Sequence, residues 1–248
     1  MAILGVFDEQ HLQLSLSEIA DALDLNTSTT HRLLQSLKAH GLVTQPHGQK
    51  TYTPGPAILR LARLANRSLD LQEVARPIMR RLRDHIHETV GLHALHSDLY
   101  RVVVDQAESR QALRRSYTEL GEPIPLHQGA PGKVLLAFLD AGQRESVLSR
   151  PLEPSNENTI TDRGALQDEI NDIRARGYAL SFGERVAGIH TVAVPLFDHT
   201  TGVVAALSVT GPAIRMPAER LHGIGPTARA AARDISAALG YAGPWEAP

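Results

Sequence analysis

The chain contains no cysteine. Disulfide frameworks, thiolate catalysis and cysteine-ligated zinc are therefore excluded at the outset. It also lacks any apolar run approaching the ~18 residues that cross a bilayer. Its opening, MAILGVFDEQ, does not have the charged-then-apolar layout of a secretion signal. A soluble, cytoplasmic protein with no membrane partner is the expectation. The third absence is local. Between Asp24 and Asp70 there is no aspartate or glutamate, whereas Arg32, Lys38, Lys50, Arg60, Arg63 and Arg67 all fall there. A formal net charge of −2 over 248 residues thus conceals a cationic N-terminal stretch, of the kind that meets nucleic acid if it lies on one surface and is otherwise an ordinary solvated face.

What is present in that stretch is a succession of short elements. Ile3 to Phe7 reads as a first short helix. Ser15-Leu16-Ser17-Glu18 has the spacing of a capping box, and Leu16, Ile19, Ala20 and Leu23 repeat on one helical face behind it. After the tight break Asp24-Leu25-Asn26, Asn26 caps a further helix that runs to His40 and stops at Gly41. Thr30, Leu33, Leu34 and Leu37 form its inward stripe. Thr27, Ser28, His31, Arg32 and Gln35 form the outward ridge, with short hydroxyls and hydrogen-bonding groups near the helix start and a cation behind. Such a ridge suits the major groove of DNA. Two strands, residues 42–45 and 50–53, flank the turn Pro46-His47-Gly48-Gln49 as a wing that brings Lys50 toward the DNA backbone.

Pro54-Gly55-Pro56 ends this unit, and Ala57 to Asn66 follows as a linker helix, apolar on enough sides to pack against a second subunit. Ser68 caps the next helix, in which Val74, Ile78, Leu82 and Ile86 recur. Strands are expected at 92–96, 101–106, 191–197 and 203–210, the last two joined by the hairpin Asp198 to Gly202, and helices at 133–139, 163–176 and 227–239. The whole is an α+β chain with a winged helix-turn-helix at 1–54, a linker helix at 55–68 and a larger domain built on an antiparallel sheet at 69–248.

Other chemistries find no support. His85 and His87 diverge on a helix, and His93 and His96 fall on opposite faces of a strand, so neither pair chelates a metal. Gly132-Lys133 lacks the earlier glycine and the following hydroxyl of a phosphate loop. No Gly-x-Ser-x-Gly elbow is present. Neither a catalytic residue nor a cofactor is expected.

In order along the chain, Leu16-Ser17-Glu18-Ile19-Ala20, Ser28-Thr29-Thr30-His31-Arg32-Leu33-Leu34, Pro125-Leu126-His127, Gly132-Lys133-Val134-Leu135-Leu136-Ala137, Asn158-Thr159-Ile160-Thr161, Arg176-Gly177-Tyr178 and Ala205-Ala206-Leu207-Ser208-Val209 resemble the IclR family of bacterial regulators. The resemblance implies a GAF-like C-terminal domain that binds a small-molecule effector, often a small organic or aromatic acid, and a homodimer or homotetramer on a palindromic double-stranded DNA operator. By motif position it places Leu113, Ser116, Ile124, Ala130, Pro131, Ser181, Ile189, Thr191, Ser208 and Thr210 around the effector. Thr191 stands where many members carry cysteine, and Ser181 where an acidic residue is common, so the ligand's identity does not transfer.

The residues alone make a parallel case. Ser208 and Thr210 are two apart in a strand and share a face, so their hydroxyls need partners. A bound anion near the amides of Gly129 to Gly132 would supply acceptors, and so would neighbouring backbone or water. His190 either bonds an effector carboxylate or is a satisfied histidine at a sheet edge. The expected function is an effector-controlled, sequence-specific transcriptional regulator. The alternative is a small-molecule enzyme or carrier whose N-terminal unit only dimerises.

Overall fold

A computed structural model describes residues 2–8, 10–46, 48–61 and 70–244. The chain divides into two compact units, Met1–Leu69 and Asp70–Pro248. Among the described residues no helix is long and apolar enough to cross a membrane.

In the first unit the expected opening helix is a 3-10 turn, Ala2–Val6, which contributes Ile3 to the core. Five residues including Gly5 gain too few i→i−4 bonds to offset helix nucleation. Strand β1, Leu14–Ser15, leads into helix α1, Leu16–Ala22. Ser15 Oγ accepts the Glu18 amide at 3.3 Å while Glu18 Oε2 accepts the Ser15 amide at 2.7 Å, the reciprocal box its sequence announces. Helix α2, Thr27–Ala39, starts on Asn26, whose Oδ1 accepts the Thr29 amide at 2.8 Å. It stops where Gly41 turns to φ +68°. The inward stripe is Thr30, Leu34 and Leu37; Leu33, one residue and so 100° from Leu34, is 45% exposed, which corrects its assignment to the stripe.

Strands β2, Val43–Thr44, and β3, Thr51–Pro54, pair antiparallel as the wing, and β1 joins the other edge of β3, giving the order β1-β3-β2. Gly55 is required where the wing ends: a Cβ there would sit 2.2 Å from the Gly41 carbonyl oxygen. Residues 56–61 then begin the expected linker helix. The rest of that helix and the Ser68 cap lie outside the described residues. The helix after them, α3 (Leu71–Ile86), starts instead on Asp70, whose Oδ1 accepts the Gln72 amide at 2.8 Å.

The second unit is a six-stranded antiparallel sheet of order β6-β5-β4-β9-β8-β7. Its strands are β4 Thr89–Leu95, β5 Tyr100–Ala107, β6 Ile124–Pro125, β7 Ala179–Phe182, β8 Ile189–Phe197 and β9 Val203–Pro212. Helices α4 Gly129–Phe138, α5 Ala141–Leu148 and α6 Arg163–Arg176 lie in sequence between β6 and β7, and α7, Ala218–Ala238, closes the unit. The last helix begins nine residues before its expected start at Thr227. Pro226 lies inside it without ending it, because Leu221, Ile224, Ala228, Ala232 and Ile235 carry one buried face straight past the proline.

The period of two along each strand sorts the sheet into two cores. Val90 and Leu92, Val192, Val194 and Leu196, and Leu207 and Val209 pack with residues of α3 and α7. Ala193 and Ala206 face the other way and pack with residues of α4 and α6. Between these alternating apolar positions, on the α4 side, fall Gly91, His93, Thr191, Ser208 and Thr210. That face has small or polar residues where the opposite face has branched aliphatics, and the recess described next opens there.

Candidate DNA-reading ridge and effector pocket

Thr27, Ser28, His31, Arg32 and Gln35 are all exposed on α2, as is Lys50 at the wing. The Gln35 side-chain amide donates to His31 Nε2 at 3.2 Å, which aligns two hydrogen-bonding groups one turn apart. Lys38 Nζ reaches Gln45 Oε1 at 3.3 Å, and Gln45 Nε2 reaches the Gln49 carbonyl at 3.1 Å, so the ridge and the wing turn are braced together. The ridge sits at the N-terminal half of its helix, where the dipole and free amides favour phosphate.

In the second unit one recess is lined by His93, Arg101, Arg115, Tyr117, Gly129, Ala130, Pro131, Ser181, Arg185, Val186, Ile189, Thr191 and Thr210. Its interior volume is about 40 Å³, widening to about 360 Å³ when the open mouth is included. Of the residues the motif positions point to, Ala130, Pro131, Ser181, Ile189, Thr191 and Thr210 come together here. The others do not. Leu113 is 63% exposed and away from the lining. Ser116 gives its hydroxyl to Glu108. Ile124 packs with Val103 and Tyr117 in a small core. Ser208 is fully buried beneath the recess, and His190, which lies in β8 between β7 and β9 and not at the sheet edge, turns its Nδ1 to the Met216 carbonyl at 2.8 Å.

The hydroxyls find partners within the protein. Arg101 Nη1 donates to His93 Nδ1 at 3.0 Å, which fixes the proton on Nε2, and that donates to Ser208 Oγ at 2.9 Å. Ser208 Oγ lies 3.4 Å from the Gly91 carbonyl, to which it donates, and 3.2 Å from Tyr117 OH, whose proton it accepts. Thr191 and Thr210 bond each other at 2.8 Å across the β8–β9 ladder. Close to the helix start expected to hold an anion lies the buried Glu184 carboxylate, which burial raises above the ordinary glutamate value and whose Oε2 has no hydrogen-bond partner among the described residues. Glu184 in turn pairs with the buried Lys133 at 2.6 Å. The short spacing of Gly132 and Lys133 therefore serves packing and an internal ion pair.

What the motif positions did not include is the cationic wall. Arg101, Arg115 and Arg185 all line the recess. Arg101 is 2% exposed; its Nη2 donates to the Gln128 carbonyl at 3.2 Å, and its Nε is buried without a partner. Burial, reinforced by the charge of Arg185, lowers its pKa to about 9, so it remains a cation at neutral pH. Burial and then the Arg101 charge drive His93 well below the ordinary histidine value, and burial raises the Tyr117 phenol. Glu119 bridges Arg115 and Arg185. Burial acts to raise its carboxyl, but the hydrogen bond from Arg185 and the two arginine charges outweigh that and hold it at about 2. The signal in sequence was Arg101 itself, two residues before Val103 and so in phase with an inward valine.

A pH prediction follows from His93. Its native pKa is depressed, so below about pH 6.5 the unfolded chain gains a proton that the native state refuses. The stabilisation by neutral His93 is complete above that value and fades as pH falls. In urea titrations between pH 7.5 and 5.5, the stability gap between the wild type and His93→Gln should narrow by about 1.4 kcal/mol per pH unit below about 6.5. A constant gap would mean that His93 is not held neutral.

A winged helix-turn-helix with an exposed, carboxylate-free ridge, followed by a sheet domain with a cationic recess, defines a ligand-responsive DNA-binding transcriptional regulator. Residues 1–47 match the IclR helix-turn-helix domain, and residues 64–237 match the bacterial transcriptional regulator IclR C-terminal domain. The chain belongs to the IclR family. It is 36% identical over 224 residues to the HTH-type transcriptional regulator BhcR of Paracoccus denitrificans, covering 90% of this chain and 80% of that one. It is 33% identical over 240 residues to the HTH-type transcriptional regulator KdgR of Escherichia coli, covering 96% and 90%. The crystal structure of an IclR transcriptional regulator from Silicibacter sp. superposes with a TM-score of 0.89 at 31% identity, covering 100% of this chain and 96% of that one. These relatives are transcriptional regulators and not enzymes, which removes the enzyme or carrier alternative.

Proposed function

We propose that the protein reads its operator with Thr27, Ser28, His31, Arg32 and Gln35 in the major groove and Lys50 on the DNA backbone, and that its effector is a small organic acid. The acid is held as its carboxylate by Arg101, Arg115 and Arg185, with Ser181, Thr191 and Thr210 beside it. The observation that carries the effector reading is the convergence of three arginines on one recess, one of them buried with a free N–H. A buried cation with an unfilled donor favours an anionic occupant.

The regulator acts in the cytoplasm as a homo-oligomer whose paired reading heads match half-sites one helical turn or a multiple apart. Leu59 and Leu61, at 75% and 48% exposed in the helical segment after the wing, are apolar surface for a second copy to cover. The acid acts by favouring one spacing of the heads. The domain limits follow the same reading: 1–54 reads DNA, 55–68 links, and 69–248 senses.

Arg32→Ala tests the ridge. Against a DNA fragment selected by the wild-type protein, the variant should lose about 1–3 kcal/mol of binding, some five- to 150-fold, if Arg32 contacts a base. Unchanged affinity would remove Arg32 from the interface.

A further inference from the structure

Glu119 is the carboxylate shared by two of the three pocket arginines. Its Oε1 accepts from Arg115 Nη2 and from Arg185 Nη1, the latter at 2.5 Å, and its Oε2 accepts the Thr118 amide at 2.9 Å. Its side chain is only 11% exposed. Resting on the effector reading above, we propose that Glu119 is an affinity-setting residue: a built-in anion that holds the Arg115 and Arg185 guanidiniums until an effector carboxylate takes its place.

Each arginine has an anchor that does not depend on Glu119. Arg115 Nη1 donates to the Ser116 carbonyl at 2.8 Å, and its guanidinium lies 4.9 Å from the centre of the Tyr117 ring. The Arg185 backbone is fixed by Ser155, whose hydroxyl donates to the Arg185 carbonyl at 3.2 Å. Arg115 is therefore aimed at the recess independently of Glu119, while the Arg185 guanidinium is bonded by Glu119 itself. It offers them the same chemistry an effector would, a carboxylate in a charge-assisted pair, and its depressed pKa keeps it ionised across the physiological range.

Between β5 and β6 the chain has no regular element, yet it is fixed on both sides of Glu119: the Tyr117 amide and carbonyl bond the Gln106 side chain at 2.8 and 3.0 Å, and the Gly121 amide donates to the Val103 carbonyl at 3.0 Å beside the isolated bridge of Val103 to Leu120. The adjoining Leu120 is 54% exposed. Exchange of one carboxylate for another at the two arginines thus needs only the Glu119 side chain to turn away from a backbone that stays fixed, while Arg101, deeper and bonded to His93 and the Gln128 carbonyl, remains for the effector alone.

The consequence is a sign that separates a competing anion from a positioning residue. Pyruvate and benzoate, a short and an aromatic carboxylate, are titrated calorimetrically into the full-length wild type and Glu119→Gln at pH 7.5. Removing the internal anion should tighten pyruvate binding by about tenfold, because two cations are left without a counter-charge in a partly desolvated site. Pyruvate binding that is equal or weaker in the variant overturns the proposal while leaving the pocket reading intact. Binding of neither acid to either protein overturns both. Should Glu119→Gln not fold, the wild type answers alone: saturating pyruvate should shift the carboxyl carbon resonance of Glu119 as its arginine partners are lost, and an unmoved resonance overturns the proposal.

Discussion

Gly132→Ala should destabilise the second unit by about 3 kcal/mol or more, the scale of overpacking against atoms that cannot yield. A Cβ at Gly132 would lie 2.4 Å from the Leu126 carbonyl oxygen, 2.9 Å from its carbon and 3.0 Å from the Leu126 Cα. All three are backbone, so the whole of α4 would have to retreat from the chain that follows β6. That helix is buried from Gly129 to Ala137 and its start frames the recess through Gly129, Ala130 and Pro131. Loss of effector binding should accompany the loss of stability. Gly142→Ala, in α5, is the control: its Cβ would approach only Asp140 Oδ1, at 3.4 Å, and alanine is the better helix former. Urea unfolding of the two variants should separate them clearly, and equal stabilities would contradict the close approach.

Arg101→Met should weaken carboxylate binding by about 100-fold, close to 2.7 kcal/mol, with a small change in stability. The wild-type side chain carries a buried positive charge, whose removal relieves desolvation. The same change deprives His93 Nδ1 and the Gln128 carbonyl of their donor, which offsets the relief. A methionine fills a similar volume, so the loss of affinity would report the charge and its N–H groups. Calorimetry with pyruvate checks it. Affinity that survives the substitution would place the acid elsewhere or reduce Arg101 to a structural cation.

The caps and periods that were readable in sequence are those set by neighbours in the chain. Ser15 with Glu18, Asn26 with Thr29, and the alternation along β8 and β9 depend on side chains a few residues apart. What sequence did not yield depends on distant pairing. Arg101 meets His93 across β4 and β5, Ser208 meets His93 from a strand more than a hundred residues later, and Arg185 meets Glu119 from β7's far end. Motif positions found the α4 start and the threonine pair but not the arginines, because guanidinium groups reach a pocket from backbone positions well outside it. The helix through Pro226 was missed for the opposite reason: a strong local rule was overridden by an apolar face packed on the sheet.

The central claim is that one chain joins a DNA-reading ridge to an acid-binding recess so that filling the second changes the first. It is tested by titrating the protein into a labelled fragment of the DNA it retains, at fixed salt, with and without the acid that calorimetry shows to bind. The operator dissociation constant should change by about fivefold or more in the wild type and not at all in Arg101→Met. An acid that occupies the recess while leaving operator affinity untouched would contradict the account.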